Sequence, residues 1–158
     1  MFNILTAGNP SALEGTIWID LYAGTGAVGI EAISRGCGMA YFVDCATQSV
    51  DLIHRNLRSL KIDSGFEVTK QDAARALRNL KSRGVSADFV FLDPPYQMEQ
   101  EYVKALEELS QSSLLKPDSA VLAEHLKKFD PGESFGPLRR YRTLKQGDSA
   151  LSLYRLQA

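Results

Sequence analysis

The chain has 158 residues, 44% hydrophobic and 23% charged, proportions that fit one globular domain with a core of its own. Eighteen Lys and Arg against nineteen Asp and Glu leave a net charge of −1, which excludes a uniformly basic protein that binds nucleic acid by charge alone. No apolar run approaches the roughly 18 residues of a membrane span, no basic segment followed by an apolar one opens the chain as a secretory signal would, and a cytoplasmic protein is the expectation.

The apolar pattern alternates in period. Residues 16–22, TIWIDLY, read as a buried strand, and residues 27–36, AVGIEAISRG, as a helix ended by Gly36. MAYFVD at 39–44 is a second strand, after which Val50, Ile53, Leu57 and Leu60 recur at helical spacing. FEVTKQ at 66–71 is a third strand, followed by a helix that turns Leu77 and Leu80 inward. DFVFLD at 88–93 is the fourth, a helix follows over 99–112, and SAVLAEH at 119–125 is the fifth. Strand and helix in strict alternation predict a parallel sheet covered on both faces. Residues 127–137, rich in Gly and Pro, read as a loop. LRRYRTLKQ and SALSLYRLQ then form two extended segments around Gly147-Asp148, the signature of an antiparallel hairpin. Residues 126–158 carry a balance of +4 and leave −5 for the rest, so the C-terminal fifth is the part suited to an acidic partner, or is simply a solvated face.

Two loops carry chemistry. Between the first strand and its helix stands G-x-G-x-x-G at Gly24, Gly26 and Gly29, where glycines allow a tight turn and a close approach of backbone amides to a ligand. Asp44 closes the second strand, where a carboxylate can accept from the two hydroxyls of a ribose. The glycines alone leave open whether the ligand is a dinucleotide or S-adenosylmethionine. Asp20, just before the loop, would repel a pyrophosphate, but it suits the loop's amides or an ammonium group. Asp72 is placed to accept from an adenine amine, or merely to cap the next helix. The second loop is Asp93-Pro94-Pro95-Tyr96, a rigid corner rich in acceptors and poor in donors. The Asp93 carboxylate and the Pro94 carbonyl can accept from both N–H groups of an exocyclic amine and localise its lone pair, and Tyr96 offers a face on which an extruded base can stack. Cys37, Cys45, His54 and His125 do not stand at metal-ligand spacing, Trp18 reads as core, and both histidines read as structural or superficial.

The segments WIDLYAGTGAVGIEAISRG, YFVD, QDA and FVFLDPPY together resemble, in order and spacing, the bacterial RsmD-type methyltransferases that act on guanine N2 of small-subunit (16S) ribosomal RNA. The resemblance covers most of residues 2–125. It implies a Rossmann-like, open, mostly parallel α/β sheet of seven strands with a C-terminal antiparallel hairpin. It also implies S-adenosylmethionine as cofactor, S-adenosylhomocysteine as product, and ribosomal RNA or an assembling small subunit as partner. No metal or membrane is implied, and a monomer is expected. Carried across, Gly24 and Gly26 would line the methionine moiety, with Asp20, Tyr22, Ala23 and Thr25 forming the rest of that loop. Asp44 would hold the ribose with Cys45 beside it, and Asp72 with Ala73 would meet the adenine. Asp93, Pro94, Pro95 and Tyr96 would hold the acceptor base. The wider class sharing this corner includes N6-adenine DNA and glutamine methyltransferases. Two departures stand out: family members carry a basic, glycine-containing arm before the FNIL segment, and polar residues where Cys45 and Ala46 follow Asp44. The expectation is a single methyltransferase domain over 1–158 lacking that arm. A cofactor-binding domain inactive on RNA is the corresponding alternative.

Overall fold

The computed structural model describes residues 1–157. Its first element is a short helix, α1 (Phe2–Leu5), which the sequence pattern did not announce. Strand β1 (Ile17–Leu21) follows, with every residue after Ile17 buried, as a parallel strand covered on both faces requires. The alternation expected from the sequence then runs through α2 (Ala27–Ser34), β2 (Met39–Asp44), α3 (Thr47–Ser59), β3 (Phe66–Lys70), α4 (Ala73–Ser82), β4 (Ala87–Leu92) and α5 (Gln100–Ser110). Strand β5 (Leu115–Leu126) starts four residues earlier than its apolar core indicated, because Ser119 Oγ accepts from the Lys116 amide (2.8 Å) and donates to the Ala87 carbonyl (2.6 Å), tying the polar start of the strand to β4.

The chain closes with β6 (Ser134–Phe135), β7 (Leu138–Gln146) and β8 (Ser149–Leu156). All eight strands form one sheet in the order β3-β2-β1-β4-β5-β8-β7-β6. The sheet therefore has eight strands, not the seven expected. The additional one is β6, a two-residue segment inside the stretch read as a loop, which pairs with Arg139 and Leu138. Two residues are too few for any periodicity to register. The five strands β3-β2-β1-β4-β5 are parallel, and β8, β7 and β6 are added antiparallel.

Each face has its own core. Ala76, Leu77 and Leu80 of α4 and Tyr102, Leu106 and Leu109 of α5 cover one side, with Ile19, Leu21 and Val90 beneath them. On the other, Ala32 of α2 and Ile53 and Leu57 of α3 cover Trp18, Phe42 and Phe91. Trp18 is completely buried and lies between the rings of Phe2 and Phe89, each centroid at 5.3 Å, so α1 serves as a lid over this half of the core. His125 is buried too, its two ring nitrogens 2.8 Å from the Leu126 carbonyl and from Ser152 Oγ, which gives it the structural role read for it in the sequence.

Phe42 sets how closely α2 lies on the sheet. A Cβ on Gly29 would sit 2.4 Å from a carbon of the Phe42 ring, so only glycine fits at that point. Gly29→Ala is expected to destabilise the fold by about 1–3 kcal/mol through overpacking, read as a lower urea midpoint with an unchanged slope.

Candidate active site

Strand β1 has β2 on one side and β4 on the other, and the chain that leaves its C-terminal end turns sharply before α2. Tyr22 (φ 58°), Gly24 (φ 58°) and Gly26 (φ 81°) all stand in the left-handed region. For a tyrosine this conformation is strained. The turn is held from β2: the Ala23 amide donates to the Val43 carbonyl (2.9 Å), and the Gly24 amide donates to Asp44 Oδ2 (2.9 Å). Asp44 Oδ1 in turn accepts from the Ala46 amide at 2.9 Å. Each carboxylate oxygen can accept two hydrogen bonds, so Asp44 keeps acceptor capacity after bracing the loop. A Cβ on Gly24 would meet nothing within 4 Å, so the space above that amide is open.

Asp20 lies beneath the loop. It is 1% exposed and its Oδ2 accepts from the Gly29 amide at 3.0 Å. Burial pushes its carboxyl up to about 8, against the opposing effect of the Gly29 amide and with a further upward push from Asp93 and Asp44.

The loop borders a cleft of about 510 Å³. On one side lie Tyr22, Gly24, Asp44, Cys45, Asp72 and Ala73, and on the other Asp93, Pro94, Pro95 and Tyr96. The two loops singled out in the sequence therefore share one cavity at the C-terminal ends of the strands, where open α/β sheets bind ligands. Asp72 caps α4, its Oδ1 accepting from the Arg75 amide at 2.9 Å, while still facing the cleft. Four of the cleft's residues outside that set escaped the sequence reading: Gln71, Gln97, Met98 and Glu101. Glu101 Oε1 accepts from the Tyr22 hydroxyl at 3.2 Å, tying the strained turn to α5. An acid in a first helical turn carries no signal in the sequence beyond that of an ordinary dipole partner. Asp20, Ala23, Thr25 and Gly26 do not line the cleft. They shape the loop behind it, with the Thr25 carbonyl accepting from Asn56 Nδ2 (2.8 Å) and the Gly26 amide donating to Ala23 (2.8 Å).

The described lining holds Asp44, Asp72, Asp93 and Glu101 and no lysine or arginine. Such a site favours a cationic or donor-rich ligand and repels phosphates. Asp93 is half-buried, and desolvation together with the neighbouring Glu124 pushes its carboxyl up to about 7. Pro94 is buried behind it, whereas Tyr96 is 58% exposed with its ring free.

An open sheet whose strand order reverses beside β1, closed by an antiparallel hairpin and carrying a glycine turn and an acidic cleft at that point, is the Rossmann-like fold of S-adenosylmethionine-dependent methyltransferases. Among relatives, the Bacillus subtilis protein named "Putative rRNA methyltransferase YlbH" is 32% identical over 142 residues, which is 90% of this chain and 77% of its own. A Streptococcus pyogenes structure described as a conserved hypothetical protein superposes with a TM-score of 0.80 at 30% identity, covering 91% of this chain and 88% of that one. The Escherichia coli structure named "Putative methyltransferase yhhF" shares the fold with a TM-score of 0.80 at 22% identity, over 99% of this chain and 84% of that one. The family described as Conserved hypothetical protein 95 matches residues 1–155, and the chain belongs to it, an RsmD-type methyltransferase as its motifs implied.

The raised carboxyl of Asp20 has a direction in pH. Its contribution to stability is complete below about pH 4, where folded and unfolded chains both hold the proton, and is lost as the pH rises through about 8. Wild type should lose resistance to urea across that interval, by at most about 1.4 kcal/mol per pH unit from this group. In Asp20→Asn that component of the slope should vanish; an identical pH dependence in the two proteins would show that Asp20 is ionised throughout.

Proposed function

We propose that the chain transfers the methyl group of S-adenosylmethionine to the exocyclic N2 amine of a guanine in small-subunit ribosomal RNA, working as one methyltransferase domain on free RNA or on an assembling subunit. The observation that carries this reading is the junction of two loops in one cleft: the Asp44-braced glycine turn and the Asp93-Pro94-Pro95-Tyr96 corner. The RNA part draws on the printed name of the Bacillus subtilis relative, and the guanine part on the first-loop sequence.

The residues present fit the cofactor. A cleft of about 510 Å³ has room for a nucleoside bearing an amino-acid tail, and its acids suit a sulfonium and an ammonium where a dinucleotide's pyrophosphate would be repelled. Gly24, with Tyr22, Ala23, Thr25 and Gly26 shaping the turn, would hold the methionine end. Asp44 beside Cys45 would accept from the ribose, and Asp72 beside Ala73 from the adenine. Asp20 acts through the loop, by fixing the Gly29 amide. When bound, the cofactor supplies an electrophilic methyl group and leaves as a neutral thioether, so the protein has to supply alignment rather than a strong base.

Alignment falls to the second corner. An aromatic amine is a poor nucleophile because its lone pair is delocalised into the ring. The Asp93 carboxylate and the Pro94 carbonyl, held by a backbone with two fixed φ angles, accept from its N–H groups and free that pair where positive charge develops. Tyr96 stacks under the base, a contact worth about 1–3 kcal/mol in comparable sites.

The test is incubation with radiolabelled S-adenosylmethionine and either naked small-subunit RNA or partly assembled particles, followed by digestion to nucleosides. N2-methylguanosine is the expected product; label in N6-methyladenosine or in protein would overturn the acceptor assignment. Asp93→Ala should lower transfer by about 10³-fold or more while calorimetric affinity for the cofactor stays within about threefold. Asp44→Ala removes a ligand contact and also frees the Gly24 and Ala46 amides, so cofactor affinity should fall by about 10- to 100-fold, or roughly 1.4–2.8 kcal/mol.

A further inference from the structure

One carboxylate beside the corner has no part in the reading above. Strands β4 and β5 are parallel and in register at Leu92↔Ala123, so the next residue of each, Asp93 just past the end of β4 and Glu124 still within β5, stand side by side. That register puts the two carboxyl groups on the same face of the sheet, and Glu124 helps to push the Asp93 carboxyl up. The backbone at this point is fixed from both sides: the Tyr102 hydroxyl donates to the Glu124 carbonyl at 2.7 Å, and Glu124 is paired across the sheet with Leu151. Asp93 borders the large cleft, whereas Glu124 is exposed and borders a second cleft of about 300 Å³ formed with Ile4 of α1 and with Leu144, Lys145 and Leu151 of the hairpin. Each member of the pair therefore borders a different cavity.

We propose that Glu124 is a positioning residue for methyl transfer, taking from Asp93 the proton that the acceptor nitrogen releases and passing it to solvent through the second cleft. The proposal rests on amine methylation as the reaction. In that step the nitrogen lone pair forms the new N–C bond, the electron pair of the broken C–S bond stays on sulfur, and the nitrogen must give up one proton. Asp93 is the acceptor in contact. A base stacked on Tyr96 and a bound cofactor would both occupy the large cleft, whereas Glu124 is exposed and borders the second. A proton held by a carboxyl pair can cross from one cavity to the other without either group moving far.

The other groups around the pair are acidic or phenolic: Asp20 from β1, Tyr96 in the same corner, and Glu99 and Tyr102 at the start of α5. Lys145 of β7 is the side-chain cation among the described residues lining the second cleft, which Met1 also borders. This surrounding keeps Asp93 exchanging its proton near neutrality, up at about 7. Transfer requires Asp93 ionised, so the rate should climb with pH through that value.

The experiment compares wild type with Glu124→Gln, a conservative change at an exposed position. In carbon-13 carboxyl NMR of the free proteins, with the Asp93 resonance assigned by its loss in Asp93→Asn, the midpoint should lie near 7 in wild type and at least about one pH unit lower in the variant, where no second carboxylate opposes ionisation. On small-subunit RNA, wild-type transfer should fall about tenfold between pH 8 and pH 6, and that of the variant less than about twofold. At pH 8 the variant should be slower by about tenfold at unchanged KM for S-adenosylmethionine, because the exit for the proton is lost. An Asp93 midpoint that does not move overturns the pairing, whether or not RNA is methylated. A midpoint that moves while the pH profile of transfer does not overturns the relay. A moving midpoint in a protein that methylates no amine would instead bring down the proposed reaction, and the relay with it.

Discussion

The reversal of strand order beside β1 is the constraint on which the rest of the molecule depends. Because β2 lies on one side of β1 and β4 on the other, the chain must leave the C-terminal end of β1 towards one face and that of β4 towards the other. A crevice opens between the two departures. Both loops singled out by their composition leave from those two strand ends, so their meeting in one cleft follows from topology rather than from any contact between them. The core is divided accordingly, α2 and α3 on one face and α4 and α5 on the other.

The turn after β1 is held by neighbouring elements rather than by itself. Asp44 of β2 takes the Gly24 amide, Glu101 of α5 takes the Tyr22 hydroxyl, Asn56 of α3 holds the Thr25 carbonyl, and Asp20 takes the Gly29 amide from below. A tyrosine with φ of 58° persists there because the surroundings determine its conformation. Such bracing leaves little entropy to lose when a ligand arrives, which is the usual physical basis of preorganisation. The acidic groups that brace the turn also set the character of the cleft, so rigidity and charge preference come from the same side chains.

Much of this was legible in the sequence, for physical reasons that can be named. The five parallel strands and four of the helices showed because burial on two faces or one leaves a periodic mark. The glycine turn and the proline corner showed because each needs residues with unusual backbone freedom or none. What escaped left no such mark. Helix α1 has four residues, and strand β6 has two, below any period. Glu101 and Glu124 are single acids in amphipathic surroundings, and their importance comes from what lies across a helix or a strand from them. Asp20 was legible as a residue of interest, with two roles left open; the structure shows it fully buried beneath the loop and engaged with a loop amide.

The two borders of the sheet differ from its centre in a way that bears on solubility. At one, β6 pairs with only Leu138 and Arg139 of β7, so most of the outer edge of β7 has no strand beside it, and that stretch carries Arg140, Arg142 and Lys145. At the other, β3 carries Glu67 and Lys70, and Glu67 is gripped by Arg83 through two hydrogen bonds of 2.8 and 3.1 Å. Basic side chains at one border and paired charge at the other are devices by which natural sheets discourage edge-to-edge growth. A wide, mostly hydrophobic sheet can thus stay dispersed at the concentrations that a crowded cell or an NMR tube demands.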